Sequence, residues 1–319
     1  MRLLVIVGPT AAGKSALALR AARELGGEVV SADSMQVYRG FDIGTAKPTP
    51  EERAGVPHHL LDLADPSEVF SAARFVEAAD RAIAEVIARG RRPVVVGGSG
   101  LYVRALLRGL FEAPPADPER RAAHAELRRR EGPGALHAAL SRVDPETAAA
   151  LNVNDHVRVS RALEVFEQTG QPVSALRRAH GFKAQRYAHV TVGLDPGREA
   201  LAARIDERVD GMLERGWLDE VVRLCAEGHG ESHAMGALGY RQLRAHLVGR
   251  LDLSEAVRQT RRETKRFARR QRAWFAAETA VVWQPDAAAV SLPGLAAALD
   301  EATEEAEEEH RGGRPGPGV

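Results

Sequence analysis

The sequence has one cysteine, Cys225, no surplus of charge of either sign, and no apolar run long enough to cross a bilayer. A lone cysteine closes no internal disulfide and holds no zinc by itself, which predicts a reducing compartment and leaves any metal to oxygen ligands. The first apolar run, Leu3 to Val7, is too short for a signal peptide and reads as a core strand, so the expected location is the cytoplasm. No internal repeat is evident, and only the C-terminal stretch is of low complexity. The zero formal charge has two unequal parts. Residues 300–319 carry seven acids and two arginines, leaving 42 basic against 37 acidic residues in the rest of the chain. The body is therefore basic. The tail, which runs out through Gly312-Gly313-Arg314-Pro315-Gly316-Pro317-Gly318, reads as a solvated and partly disordered appendage.

What is present begins at the first strand. Leu3 to Val7 leads directly into Gly8, Pro9, Thr10, Ala11, Ala12, Gly13, Lys14 and Ser15, the spacing of a loop that cradles phosphates. Glycines there let backbone N–H groups turn inward around anionic oxygens, and the helix that follows aims its positive end at them. Lys14 is placed to neutralise outer phosphates and Ser15 to ligate Mg²⁺. Ser15 to Leu25, rich in Ala, Leu and Arg, predicts the helix, with Gly26-Gly27 as its stop. The loop alone does not say which polyphosphate is bound or for which reaction.

Further strand-like runs lie at Glu28 to Ser31, Pro93 to Val96, His189 to Leu194 and Val281 to Trp283, alternating with helical periodicity such as Ala72 to Ala88. This predicts an α/β fold, a mostly parallel sheet with helices on both faces, whose ligands gather at the carboxyl ends of the strands. After Pro114-Pro115 the pattern becomes helical with no strand, which predicts a small all-helical insertion over 115–185. It would divide a core of 1–114 and 186–290, followed by a C-terminal helix and tail over 291–319.

Three clusters carry chemistry. Asp33, after the second strand, sits where an acid can act as a base or hold Mg²⁺ through water, although an N-cap or turn aspartate explains it equally well. Ser99, in Gly97-Gly98-Ser99-Gly100, lies on a glycine loop that lets backbone and hydroxyl approach a ligand. Arg258, Arg261, Arg262, Lys265, Arg266, Arg269, Arg270 and Arg272 crowd one helical stretch in which Glu263 is the one compensating acid, which points to a polyanion such as RNA. Arg158 and Arg161 share a second helical face, suited to neighbouring phosphates or to salt bridges. The adjacent His58 and His59 diverge and have no third ligand, so a structural role is expected.

The order of Gly-Pro-Thr-Ala-Ala-Gly-Lys-Ser (8–15), Asp-Ser-Met-Gln-Val-Tyr (33–38), Asp-Ile-Gly-Thr-Ala-Lys (42–47), Pro-His-His-Leu-Leu-Asp (57–62), Gly-Gly-Ser-Gly-Leu-Tyr (97–102), Arg-Val-Ser-Arg-Ala-Leu-Glu-Val (158–165), Gly-Tyr-Arg-Gln (239–242) and Lys-Arg-Phe-Ala-Arg-Arg-Gln-Arg-Ala-Trp-Phe (265–275) closely resembles the bacterial tRNA dimethylallyltransferase family. The first motif is common to many NTPases; the second and third are far more specific. The resemblance implies a P-loop kinase-like core with a helical insertion that grips the tRNA anticodon stem-loop. It implies Mg²⁺-assisted transfer of a dimethylallyl group from dimethylallyl pyrophosphate to N6 of adenosine 37, in tRNAs reading codons that start with U, by a monomer. It assigns Asp33 as base, Ser99 and Arg208 as catalytic partners, and tRNA contacts at Asp33, Ser34, Met35, Gln36, Ser99, Arg121, Val157, Arg158, Val159, Ser160 and Arg161. Ser99 replaces a threonine common in the family and keeps its hydroxyl; Gly236 stands where a polar or basic side chain is frequent. The alternatives are a small-molecule P-loop kinase, which has little need of the basic helix, and an ATP-regulated RNA-binding module, which leaves Asp33 and Ser99 without a task.

Overall fold

The computed structural model describes residues 2–300 apart from Ala54 and Thr279, so the acidic tail at 301–319 lies outside the described residues. The chain folds as two compact units, one built from residues up to Leu107 together with those from Arg186 onward, the other from Arg108–Gln185.

The first unit starts with β1 (Leu3–Val7), α1 (Lys14–Glu24), β2 (Gly27–Ser31), α2 (Pro50–Arg53), β3 (His58–His59), α3 (Ala72–Ala88), β4 (Arg92–Gly97) and α4 (Gly100–Arg108). The second holds α5 (Pro118–Glu131), α6 (Gly134–Val143), α7 (Pro145–Ala150), α8 (His156–Thr169) and α9 (Val173–His180), with no strand among its described residues. The chain then completes the first unit with β5 (His189–Leu194), α10 (Arg198–Glu214), α11 (Trp217–Ala226), α12 (Tyr240–Leu247), α13 (Leu253–Ala276) and β6 (Val281–Gln284). Residues 292–300 are helical as well. None of the helices described is long and apolar enough to cross a membrane.

The six strands are all parallel, in the order β3-β2-β4-β1-β5-β6. Every residue of β1 is buried because the strand is central, with Val5 opposite both Val95 and Thr191. Its side chains alternate between two cores: Leu3, Val5 and Val7 pack with Phe75, Leu106 and Phe275, while Leu4 and Ile6 pack with Leu17, Ile205 and Ala268. Burying each such aliphatic stabilises the fold by roughly 1.5–3 kcal/mol. This two-sided burial is why β1 reads as an unbroken apolar run.

The boundary after α1 differs by one residue from the sequence reading. Gly26, at φ +63°, ends the helix in the left-handed region, but Gly27 already belongs to β2, where a Cβ would stand 2.5 Å from the Arg92 carbonyl oxygen. The second glycine answers to strand packing instead. The two adjacent histidines form β3: His58 Nδ1 hydrogen-bonds the Val56 carbonyl at 2.8 Å and His59 Nε2 meets Glu28 Oε2 at 2.7 Å.

In the helical unit, Asp117 caps α5 through the N–H groups of Glu119 and Arg120, and Pro118 opens the helix with its φ preset. Asp144 caps α7 through Thr147 N–H and also accepts from Ser174 N–H at the start of α9. The unit's core is Leu136, Leu140, Val159, Leu163, Val165 and Val173.

Candidate active site

Strand order makes the site. Because β2, β4 and β1 are neighbours, the loops leaving their carboxyl ends, at 32–36, 97–99 and 8–13, lie side by side. Gly8 can leave β1 only as glycine, since its φ is +140° and a Cβ would meet the Leu194 carbonyl oxygen at 2.5 Å. Gly13, in the left-handed region at φ +92°, turns the chain into α1. The Ser99 hydroxyl accepts from Ser34 N–H at 3.0 Å and donates to the Ser34 hydroxyl at 3.2 Å, tying the β4 loop to the β2 loop. Asp33 Oδ1 accepts from Met35 N–H at 2.8 Å and Gln36 N–H at 3.4 Å. The aspartate therefore shapes its own turn and still contributes to the wall of the cavity.

That cavity, about 860 Å³, is bounded by Thr10, Lys14 and Ser15 of the phosphate-type loop, Asp33 to Gln36, Ser99, and Arg208 of α10. An apolar wall from Ile205, Val209, Met212, Trp217, Leu238 and Tyr240 faces them. Three charged groups feel one another inside it. Loss of water, together with the Arg208 guanidinium, holds the Lys14 ammonium down at about 8, against the pull of the Asp33 carboxylate. Burial likewise lowers Arg208, with Asp33 opposing. Two cations crowded out of water and partly balanced by one carboxylate form a site that gains by taking up an anion. The Lys14 ammonium meanwhile donates to the Pro9 carbonyl at 2.7 Å.

Gln271, present in the sequence only as one residue of the 265–275 motif, has a structural role of its own. From the buried face of α13 it accepts from Thr10 N–H at 2.8 Å and donates to the Gly98 carbonyl at 2.9 Å, clasping two of the three loops. A glutamine inside a run of arginines was its one visible signal. The apolar wall was equally hidden, apart from the Gly239-Tyr240 pair.

The remaining sequence-derived contacts lie in the helical unit. Arg121 and Arg161 both bind the fully buried Glu164 carboxylate, and Arg161 also donates to the Pro114 carbonyl at 2.6 Å. Arg158 pairs with Asp155, and the Ser160 hydroxyl bonds His124 Nδ1 at 2.9 Å. Val157 is 70% exposed, whereas Val159 is 0% exposed and its side chain packs in the unit's core. The expectation that α13 has almost no compensating acid is corrected. Asp206 and Asp210 of α10 bind Lys265 and Arg261, Asp195 binds Arg272 at 2.7 Å, and Glu255 binds Arg258. Glu255 stands in the first turn of α13 itself, whereas the three aspartates come from a neighbouring helix and loop, more than 50 residues distant in sequence.

Comparison with known proteins gives one consistent result. The family model described as IPP transferase matches residues 36–278. A tRNA dimethylallyltransferase from Sorangium cellulosum is 53% identical over 273 residues, covering 86% of this chain and 87% of that one. Its counterpart from an Anaeromyxobacter species is 54% identical over 283 residues, covering 89% and 92%. Among solved structures, the tRNA isopentenylpyrophosphate transferase of Bacillus halodurans superposes with a TM-score of 0.69 at 39% identity, covering 97% of this chain and 98% of that chain. A eukaryotic dimethylallyltransferase described as acting on tRNA gives 0.69 at 30% identity, covering 86% and 69%.

Proposed function

The chain belongs to the IPP transferase family, and from that premise we propose that it transfers a dimethylallyl group from dimethylallyl pyrophosphate to N6 of adenosine 37 in tRNAs that read codons starting with U. The observation that carries the reading is one cavity in which Lys14 and Arg208 lie within electrostatic reach of the Asp33 carboxylate, beside an apolar wall that can receive a prenyl group.

In this reaction the N6 lone pair forms a bond to the allylic carbon, the carbon–oxygen bond breaks, and pyrophosphate leaves with the electron pair. Adenine N6 is a weak nucleophile because its lone pair is delocalised into the ring, so Asp33 hydrogen-bonds the amino group and accepts its proton. Charge grows on the leaving pyrophosphate. Lys14, Arg208 and the N–H groups of Gly13 to Ser15 at the start of α1 meet it, and donors fixed in advance stabilise the transition state more than the ground state. The Ser15 hydroxyl, exposed in the first turn of α1 with no protein partner among the described residues, suits a Mg²⁺ ion that takes most of its ligands from water and phosphate. Such an ion would supply further neutralisation of the pyrophosphate. The adenine must leave its stack to reach the cavity, at an energy cost offset by contacts to the extruded base. The helical unit, with Arg121, Arg158 and Arg161 at least partly exposed, is the part we assign to the anticodon stem-loop, and we take the enzyme to act as a cytoplasmic monomer.

The test is to incubate the protein with unmodified tRNA, Mg²⁺ and either dimethylallyl pyrophosphate or ATP, then weigh the digested nucleosides. A prenylated adenosine formed only with the allylic donor, and mapped to position 37, is the expected result. No mass change with the allylic donor, alongside ATP-dependent phosphorylation of a small molecule, would replace this reading with a kinase.

A further inference from the structure

The segment 42–46 forms one wall of the cavity, through Gly44, Thr45 and Ala46, yet it belongs to no strand or helix. Its position is set from outside the site. Glu220, on α11 and 6% exposed, directs its carboxylate into the turn. Oε2 accepts from Asp42 N–H at 3.1 Å and Ile43 N–H at 2.8 Å, while Oε1 accepts from Gly44 N–H at 3.3 Å and from the Tyr240 hydroxyl at 2.6 Å. Both oxygens thus serve two donors each, a demand that a carboxylate meets and an amide does not, since half of an amide is itself a donor. One turn earlier on the same helix, Trp217 closes against Gly44, where a Cβ would stand 2.0 Å from the indole Nε1. The opposite end of the segment is tied by Lys47, which donates to the Tyr38 carbonyl and to both Asp42 and Asp62.

A continuous path of hydrogen bonds leads inward from this anchor. The Gln36 amide donates to the carbonyls of Thr45 at 3.3 Å and Ala46 at 3.1 Å and accepts from the Ser31 hydroxyl at 3.0 Å, and the Gln36 N–H meets Asp33 Oδ1. We propose that Glu220 is a positioning residue for the transfer reaction: by capping the N–H groups of 42–44 it fixes the carbonyls that hold Gln36, and through Gln36 the orientation of the Asp33 carboxylate. Glu220 does not line the cavity among the described residues. This inference rests on the transferase reading, because it takes Asp33 to be the base.

The test compares wild type, Glu220→Gln and Tyr240→Phe in single-turnover prenyl transfer, with inorganic pyrophosphate affinity and thermal unfolding measured on the same preparations. The Gln variant turns an N–H₂ group toward backbone donors. Its transfer rate should fall about 10- to 100-fold, the scale of a misplacement near 1 Å, with pyrophosphate affinity changed less than about threefold because the phosphate loop is held separately by Gln271. Tyr240→Phe removes one of four donors, leaves the carboxylate on its three N–H groups and should lose less than the Gln variant. Wild-type transfer rates in folded Glu220→Gln would overturn the proposal, as would equal losses of rate and pyrophosphate affinity. If Glu220→Gln does not fold, Glu220→Asp, which keeps the charge but draws the carboxylate back from the N–H groups of 42–44, takes its place, and a wild-type transfer rate in that variant overturns the proposal. Failure of wild type to form any prenylated adenosine would instead overturn the transferase reading.

Discussion

At the scale of single residues, chemistry and architecture share the same side chains. Asp33 closes its own turn through Met35 and Gln36 while lining the cavity, so the turn aspartate and the proposed base are one residue. Asp33→Asn keeps an oxygen for those N–H groups but removes the proton acceptor. Single-turnover transfer should fall about 10²- to 10⁴-fold, while inorganic pyrophosphate affinity stays within about threefold; near-normal turnover in this variant would remove Asp33 from the chemistry. Gln271 is a clasp with no chemical task. Gln271→Leu leaves Thr10 N–H and the Gly98 carbonyl without their shared partner, which should cost about 1–3 kcal/mol in denaturant unfolding. The same variant should raise KM for the allylic donor, because the phosphate loop loses its tie to α13. An unchanged midpoint and KM would show that water replaces the glutamine freely.

At the scale of elements, the helical unit is arranged around a buried carboxylate. Glu164 accepts from Arg161, Arg121 and the Asp117 N–H. Burial works to raise its pKa, but the hydrogen bonds from Arg161, Asp117 and Arg121 outweigh it, and the carboxyl lies below its ordinary 4.5. The sign follows from linkage. A group held below its unfolded pKa adds stability that is complete above 4.5 and lost as pH falls from there through the lower native value. Glu164→Gln should therefore destabilise the unit by about 1–3 kcal/mol at neutral pH. The gap to wild type should narrow as pH falls below 4.5. Melting curves at neutral and acidic pH check both parts, and a gap that stays constant with pH would show that the carboxylate's charge is not what matters. The same element explains Val159. On a helix whose residues 159, 162 and 163 face the core, Val157 and Arg158 are turned toward solvent and Arg161 lies at the margin, half-buried against Glu164.

At the scale of the whole molecule, the excess of basic charge in the body is partly masked by local pairing. The cations of α13, which in sequence form a basic block, meet Asp206, Asp210, Asp195 and Glu255 in the fold. The salt dependence of tRNA binding should accordingly be shallow for so basic a helix, with a log–log slope equivalent to fewer than about five phosphate contacts. Replacing Asp206 and Asp210 together by Asn frees Lys265 and Arg261. If RNA lies along this face, each freed cation adds about 0.7–0.9 to the slope. A slope unchanged by the double substitution would place the RNA elsewhere on the protein.

The sequence by itself determined what depends on residues close together in the chain. Leu3 to Val7 running into Gly13-Lys14-Ser15 could only be a buried strand, a phosphate-type turn and a helix, because the apolar run, the glycines and the helix formers each constrain the next few residues. The parallel sheet was likewise legible in strands separated by helical stretches, and the insertion in their absence after Pro115. Even the burial of Val159 was implicit in its helical spacing from Ala162 and Leu163. Tertiary structure alone decided the rest. That Lys14, Asp33 and Arg208 face one another follows from strand order and from the packing of α10, over separations that no local pattern encodes. The grip of Gln271 on Thr10 spans 261 residues, and that of Glu220 on Ile43 spans 177. A hydrogen bond between such distant groups leaves no periodic trace in the sequence, since its partners are chosen by three-dimensional packing.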